Sequence, residues 1–215
     1  PCVGQSRSAM PSGRFVWAAG RVVGHDYVCR NRVSVQKFDD VPAVGGVHVY
    51  SIPTLETERL KLRPPTDEDW PEYSKLMMSE RSVFMGGPFP LHTAWGLYCH
   101  DVAQWSLFGF GALMIEERQS GVCLGQVAIN SGPLFPEKEL GWLVYSHAEG
   151  KGFAYEAAQA LKHWAFRDRK LDTLVSYVDP PNTRSRALAE RLGAVLDHAA
   201  PRPDPTDMVY RHPID

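Results

Sequence analysis

Long apolar runs are missing from this 215-residue chain. No stretch approaches the roughly twenty apolar residues that a membrane-crossing helix needs, so a soluble protein is expected. Cysteine is sparse. Cys2, Cys29, Cys99 and Cys123 show no CxxC spacing, which argues against a disulfide framework or a zinc site and favours free thiols in a reducing, cytoplasmic compartment, with Cys99 and Cys123 in the core. The eight histidines are scattered without an HExxH pair, leaving no candidate metal ligand. Positive charge is not in excess either: a net charge of -2 and a pI of about 6.5 exclude the broad basic footprint of a nucleic-acid binder. What asymmetry exists lies at the start, where residues 1–36 carry five Arg, no Lys and Asp26 as their one acid, for +4 against -6 in the remainder. That composition is like an organellar transit peptide, but a chain opening on Pro1 is more simply a fragment, a cloning remnant or translated upstream sequence. Residues 1–50 are therefore expected to form an irregular extension without chemistry, with short strands permitted around Val33, Val35, Val47 and Val49. Residues 51–215 are expected to be one domain with a sizeable core.

What is present is organised around residues 139–160. Leu140 to Tyr145 reads as a strand, Gly150-Lys151-Gly152 breaks it, and Phe153, Ala157, Ala160, Leu161 and Trp164 recur at helical spacing, which predicts strand, glycine loop and helix. Glycine lets the backbone turn tightly and approach a ligand. The first amides of a helix have no internal partner and sit at the positive end of its dipole, so the corner from Gly150 through Tyr155 suits a pyrophosphate. Two phosphate-binding designs are excluded here. A P-loop needs Ser or Thr after its lysine, where this chain has Gly152 and Phe153. A dinucleotide fingerprint opens an early βαβ unit, whereas this loop comes late, after several strands.

The flanking segments read as a mixed α/β domain. Leu60 and Leu62 alternate with Arg59, Lys61 and Arg63 as a half-buried strand, Pro64-Pro65 stop it, and Thr66 caps a helix with Asp67, Glu68 and Asp69 in its first turn. Leu76, Met77 and Val83 lead through Met85-Gly86-Gly87-Pro88-Phe89 to a second helix, where Trp95, Tyr98, Val102 and Trp105 mark a core stripe. Phe110 to Glu116 and Val122 to Ile129 pair as a hairpin, in which Gly125 marks a bulge or a close backbone approach. A strand from Leu174 to Val178, a helix capped by Asn182 and ended by Gly193, and a last strand from Met208 to His212 complete the pattern.

Three segments together resemble the Gcn5-related N-acetyltransferases (GNAT). Glu149-Gly150-Lys151-Gly152-Phe153-Ala154 is similar to their acyl-CoA loop, in which Arg or Gln, two residues, Gly, one residue and Gly or Ala precede a helix; Glu149 departs at the first position. Asn182, Ser185, Leu192 and Gly193 match the superfamily's late helix, with Ala189 in place of its tyrosine and Ala194 in place of its phenylalanine. The strand and helix opening at residues 57–70 looks like the ribosomal-protein alanine acetyltransferase (RimJ/RimL-like) branch.

This resemblance, running from about Leu55 to Pro213, implies an α+β GNAT fold. Its central, mostly antiparallel twisted sheet has a V-shaped splay between two central strands and helices on both faces. It implies acetyl-CoA as co-substrate with no metal, an amine acceptor (a protein N-terminus or a small-molecule amine), and a monomer or homodimer that engages neither nucleic acid nor membrane. The amine would attack the thioester directly in a ternary complex. Trp142, Leu143 and Val144 would pair with the pantetheine amides, and Glu149, Gly150, Lys151, Gly152, Phe153, Ala154 and Tyr155 would hold the pyrophosphate, with Glu149 weakening it by repulsion. Glu139 would be the base, the N–H of Leu143 or Val144 the oxyanion donor, Ser185 the hydroxyl that meets the departing thiolate, and Asn182 a helix cap that also touches the pantetheine arm. Gly86, Gly87 and Phe89 would neighbour the acceptor. Ala189 and Glu149 keep an alternative open, a non-catalytic acyl-CoA binding or sensing domain.

Overall fold

The computed structural model describes residues 51–214; the strands permitted near Val33, Val35, Val47 and Val49 lie outside them. β1 (Leu55–Glu56) and β2 (Leu60–Arg63) open the sheet. Leu60 and Leu62 are fully buried, as alternation predicts. Arg63 then ties three elements together, reaching Asp69 Oδ1 at 2.7 Å and Glu116 Oε2 at 2.6 Å. Asp69 in turn accepts the Thr66 N–H at 2.8 Å, which fixes the chain as it turns through the 3₁₀ segment Asp67–Asp69 into α1 (Trp70–Met77).

α2 (Leu91–Phe108), the hairpin β3 (Ala112–Glu117) and β4 (Cys123–Asn130), β5 (Glu139–Val144) and α3 (Phe153–Arg167) follow. β6 (Val175–Val178), α4 (Thr183–Arg191), β7 (Val195–Leu196) and β8 (Met208–Arg211) complete one sheet in the order β1-β2-β3-β4-β5-β6-β8-β7. Every pairing is antiparallel except that of β5 with β6. One face packs Leu113, Leu140, Ala157 and Leu161 under α3. The other packs Tyr73, Met77, Ala94 and Tyr98 of α1 and α2 against Leu143 and Tyr145. Helices therefore flank both faces. Among the described residues, no helix is long and apolar enough to cross a membrane.

Some expectations of burial need correction. Trp105 is a core residue, 1% exposed, with its indole N–H donating to Ala112 O at 2.8 Å, but Val102 is exposed and Trp95 stands 48% exposed, packed edge-on against Trp70 at 4.9 Å. Cys123 is half-buried while Cys99 is exposed on α2, because α2 covers the sheet with one stripe only and Cys99 lies off it.

Gly125 sets the curvature next to β5. Ile115 pairs with Gly125 and Glu116 with Cys123, so Leu124 is the extra residue of a bulge. A Cβ at Gly125 would lie 2.2 Å from Leu143 O, and its φ is +152°. Gly125→Val is expected to lower the unfolding free energy by about 2–3 kcal/mol, with the m-value unchanged in urea titration; a midpoint equal to wild type would show that β4 and β5 need no such contact.

Candidate active site

β5 and β6 share one register pair, Glu139 with Val175. The Val175 N–H donates to Lys138 O at 3.0 Å; the next carbonyl of β5, Leu140 O, is taken by the Ser176 hydroxyl at 2.6 Å. Beyond this point the strands diverge into a V. Pairing with β4 decides which main-chain groups of β5 face it. Gln126 lies opposite Leu143 and Ala128 opposite Gly141, and Tyr145 N–H donates to Leu124 O at 2.8 Å. Main-chain groups alternate sides along a strand, so the amides of Gly141 and Leu143 are directed at β4, and those of Trp142 and Val144 at the V. The two amides offered by sequence as oxyanion donors are thus separated: Leu143 N–H is occupied in the ladder and Val144 N–H faces the opening.

Glu139 sits half-buried at the root of the V. Burial pushes its carboxyl up to about 7, against a hydrogen bond from Asn130, and nearby Asp207 and Asp101 push the same way as burial. Asn130 Nδ2 donates to Glu139 Oε2 at 2.9 Å. Asn130 Oδ1 accepts from Gln104 Nε2 at 3.3 Å, and Gln104 Oε1 accepts the Ser131 N–H at 2.7 Å. Gln104 is fully buried, so this chain from α2 orients the amide that holds Glu139.

At the other end of β5, Gly150 and Gly152 adopt φ of +73° and +80°, and Gly152 begins α3 without a side-chain cap. Arg59 braces the loop, donating to Lys151 O at 3.1 Å and to Glu156 Oε2 at 2.7 Å. Gly152 brings no side chain to the first amides of α3, a helix end of the kind that suits an anion. Glu149 is not a lone carboxylate: Arg81 pairs with its Oε1, and Arg184 with its Oε2 at 2.8 Å.

A cleft of about 780 Å³ runs along the V, lined by Glu139, Trp142, Leu143, Asn182 and Ser185. The other co-substrate candidates, Val144 and Glu149 to Tyr155, do not line this cleft. Asn182 caps α4 through the Ser185 N–H at 3.2 Å. Of the three acceptor-side candidates only Gly86 lines the cleft; Gly87 is packed on Ser82, where a Cβ would lie 1.9 Å from Oγ, and Phe89 packs into the aromatic cluster behind. Met85, Phe84 and Val83 take that wall instead. Ala189 is fully buried in a cluster against which Trp142 packs, so its small side chain gives the indole room. Asp101, Asp179, Asp204 and Asp207 also line the cleft, with His100 but neither Lys nor Arg among the described residues. Sequence reading missed Asn130, Asp101 and Asp207, which no local pattern marks. No group of His, Cys, Asp and Glu that could hold a metal occurs among the described residues.

A family model described as an acetyltransferase (GNAT) domain matches residues 59–195, well over half of the chain. The chain belongs to the GNAT acetyltransferases, and its reaction is acetyl transfer from acetyl-CoA to an amine. It is 58% identical to an acetyltransferase of solved structure from Agrobacterium tumefaciens, covering 76% of this chain and 95% of that one with a TM-score of 0.74. An uncharacterized protein of Bacillus subtilis, YkkB, is 28% identical over 149 residues, 65% of this chain and 83% of its own length. In fold the chain is also similar to RimL, a ribosomal L7/L12 acetyltransferase solved with CoA, at 18% identity and a TM-score of 0.59, covering 76% of this chain and 99% of RimL.

Removing the hydrogen bond that favours the charged form raises a carboxyl pKa. Asn130→Ala is expected to lift Glu139 above about 7, read by carbon NMR titration of the labelled carboxyl; a titration midpoint that falls would mean that Asn130 does not act on the ionised form.

Proposed function

We propose that the acetyl-pantetheine arm lies in the V with its diphosphate on the Gly150–Tyr155 corner, and that Glu139 serves as general base for a cationic amine entering from the α1–α2 side. The observation that carries this is the Glu139 carboxyl at the root of the V, lifted by burial to about 7. An amino terminus has a pKa of roughly 8 and a lysine roughly 10.4, so the acceptor arrives protonated. A carboxyl near 7 is about half ionised at neutral pH and takes one proton, directly or through water. The freed nitrogen attacks the thioester carbonyl, the developing oxyanion meets the Val144 N–H, and the carbon–sulfur bond breaks. The second ammonium proton passes to the thiolate, which the Ser185 hydroxyl meets with a hydrogen bond; a thiol pKa of about 8.5 makes that a modest demand.

The cleft also supports a class of acceptor. Asp101, Asp179, Asp204 and Asp207 join Glu139 without a Lys or Arg among the described lining residues. Burial, then Asp204 and Asp179, raise the Asp207 carboxyl, which is relief that a cation would supply. The Arg202 guanidinium nearby is bonded to main-chain carbonyls, His198 O at 2.7 Å and Asp207 O at 3.0 Å. Val83, Phe84, Met85 and Leu97 form an apolar wall. An amine with a second positive charge and a short apolar spacer fits this lining; an acidic peptide terminus does not.

Glu139→Gln is expected to lower kcat by about 10²–10³ and to remove the limb of the pH profile near 7, with the acetyl-CoA KM kept; a profile that keeps this limb would make Glu139 a scaffold residue. In a thiol-release panel, diamines are expected to outrun neutral and acidic amino compounds, and Asp207→Asn to raise the diamine KM several-fold. Equal rates across the panel would remove the charge argument.

A further inference from the structure

Glu149 occupies the position where an arginine or glutamine usually precedes the glycine loop, and by itself it would repel a diphosphate. Its partners reverse that sign. Glu149 Oε2 is 2.8 Å from Arg184 Nη2, Oε1 is paired with Arg81, and the same Arg81 nitrogen donates to Val144 O at 3.0 Å. Arg81 first, then Arg184, hold the Glu149 carboxyl below the usual carboxylate range. The trio carries one net positive charge where a lone glutamate would carry a negative one.

The three residues come from three places around the wide end of the V: Arg81 from the 3₁₀ segment Glu80–Met85, Glu149 from the loop before α3, and Arg184 from the first turn of α4. None is buried for packing. The side chains of Arg184, Arg81 and Glu149 are 69%, 37% and 26% exposed. A cation in the first turn of a helix also faces the positive end of the dipole, so Arg184 is not there to steady α4. An exposed ion pair contributes little and is cheaply exchanged, whereas a guanidinium fork on a phosphate makes paired, charge-assisted bonds.

We infer that Arg184 and Arg81 are phosphate-binding residues for acetyl-CoA, held by Glu149 in the empty protein and passed from its carboxylate to the cofactor's phosphates on binding. Glu149 is then an internal anion that keeps two arginines aimed at the loop, and its presence at this position is compatible with CoA affinity. This rests on the placement of the diphosphate on the α3 loop given above.

The test uses the full chain with Arg184→Ala, Arg81→Ala, Arg184→Lys and Glu149→Gln, measuring KM and calorimetric Kd. Acetyl-CoA, 3′-dephospho-acetyl-CoA and acetyl-pantetheine are compared, so that diphosphate, 3′-phosphate and the bare arm are separated. Arg184→Ala is expected to raise the KM and Kd for acetyl-CoA about tenfold or more, to leave the amine KM unchanged, and to have no effect with acetyl-pantetheine. Arg184→Lys should recover part of the loss, and Glu149→Gln should tighten CoA because the guanidiniums are released and a negative charge is removed. An Arg184→Ala variant with wild-type affinity for acetyl-CoA, or one that loses equally on acetyl-pantetheine, overturns the inference alone. A wild-type protein that binds no CoA and releases no thiol overturns this inference and the proposed function together.

Discussion

The structure depends on one incomplete pairing: β5 is hydrogen-bonded along its length to β4 but joined to β6 only at Glu139 and Val175. Buried main-chain polar groups are costly to leave unpaired, and a parallel strand beside β5 would normally satisfy them. Here the Ser176 hydroxyl takes the Leu140 carbonyl, and the Gly125 bulge lets β4 press within contact of Leu143 and Val144. The ladder therefore ends early on one side of β5 and continues on the other. The Trp142 backbone and the Val144 N–H are left facing the opening, while Val144 O accepts from Arg81; free groups of this kind are what an extended amide-bearing arm requires of a protein edge.

Charge is sorted about the same opening. Where β5 ends, the Arg81–Glu149–Arg184 trio carries a net positive charge; Glu139 at the start of β5 and Asp101, Asp179, Asp204 and Asp207 along the cleft carry negative charge. Under the proposed function, the anionic cofactor would meet the first group and a cationic acceptor the second. Glu139 bears the cost of that arrangement. Its carboxyl is raised from 4.5 to about 7, so its contribution to folding is fully present below pH 4.5 and is lost as pH rises through about 7, the range in which the proposed base would have to ionise. Under that proposal, stability and activity pull on this side chain in opposite directions.

The path of the chain was largely legible beforehand because its signals are local. Helical spacing from Phe153, the Asn182 cap, the alternation of Leu60 and Leu62, and the glycine at position 125 each report on neighbours within a few residues, and the elements form where those signals stand. β1 and β7 escaped notice because two residues make no period. Burial was less legible: Trp95 and Cys99 share a helix with core residues, and only the packed partner decides which stripe is covered. The chemistry was half legible. Glu139, Asn182 and Ser185 were named by their place in motifs, but the Gln104–Asn130 chain that orients Glu139 and the arginines that neutralise Glu149 join residues far apart in sequence. Repulsion between Glu149 and a diphosphate was the natural expectation from a linear text, which could not show that Arg81 and Arg184 pair with that carboxylate.

The most direct measurement of the central claim is residue-resolved amide hydrogen exchange along β5 with and without CoA. If the arm completes the open edge of the strand, the amides of Trp142 and Val144 gain protection on binding while those of Gly141 and Leu143, already paired with β4, change little. Saturation with CoA that leaves Trp142 and Val144 exchanging as fast as before, or that protects all four equally, would contradict the placement of the cofactor in the V.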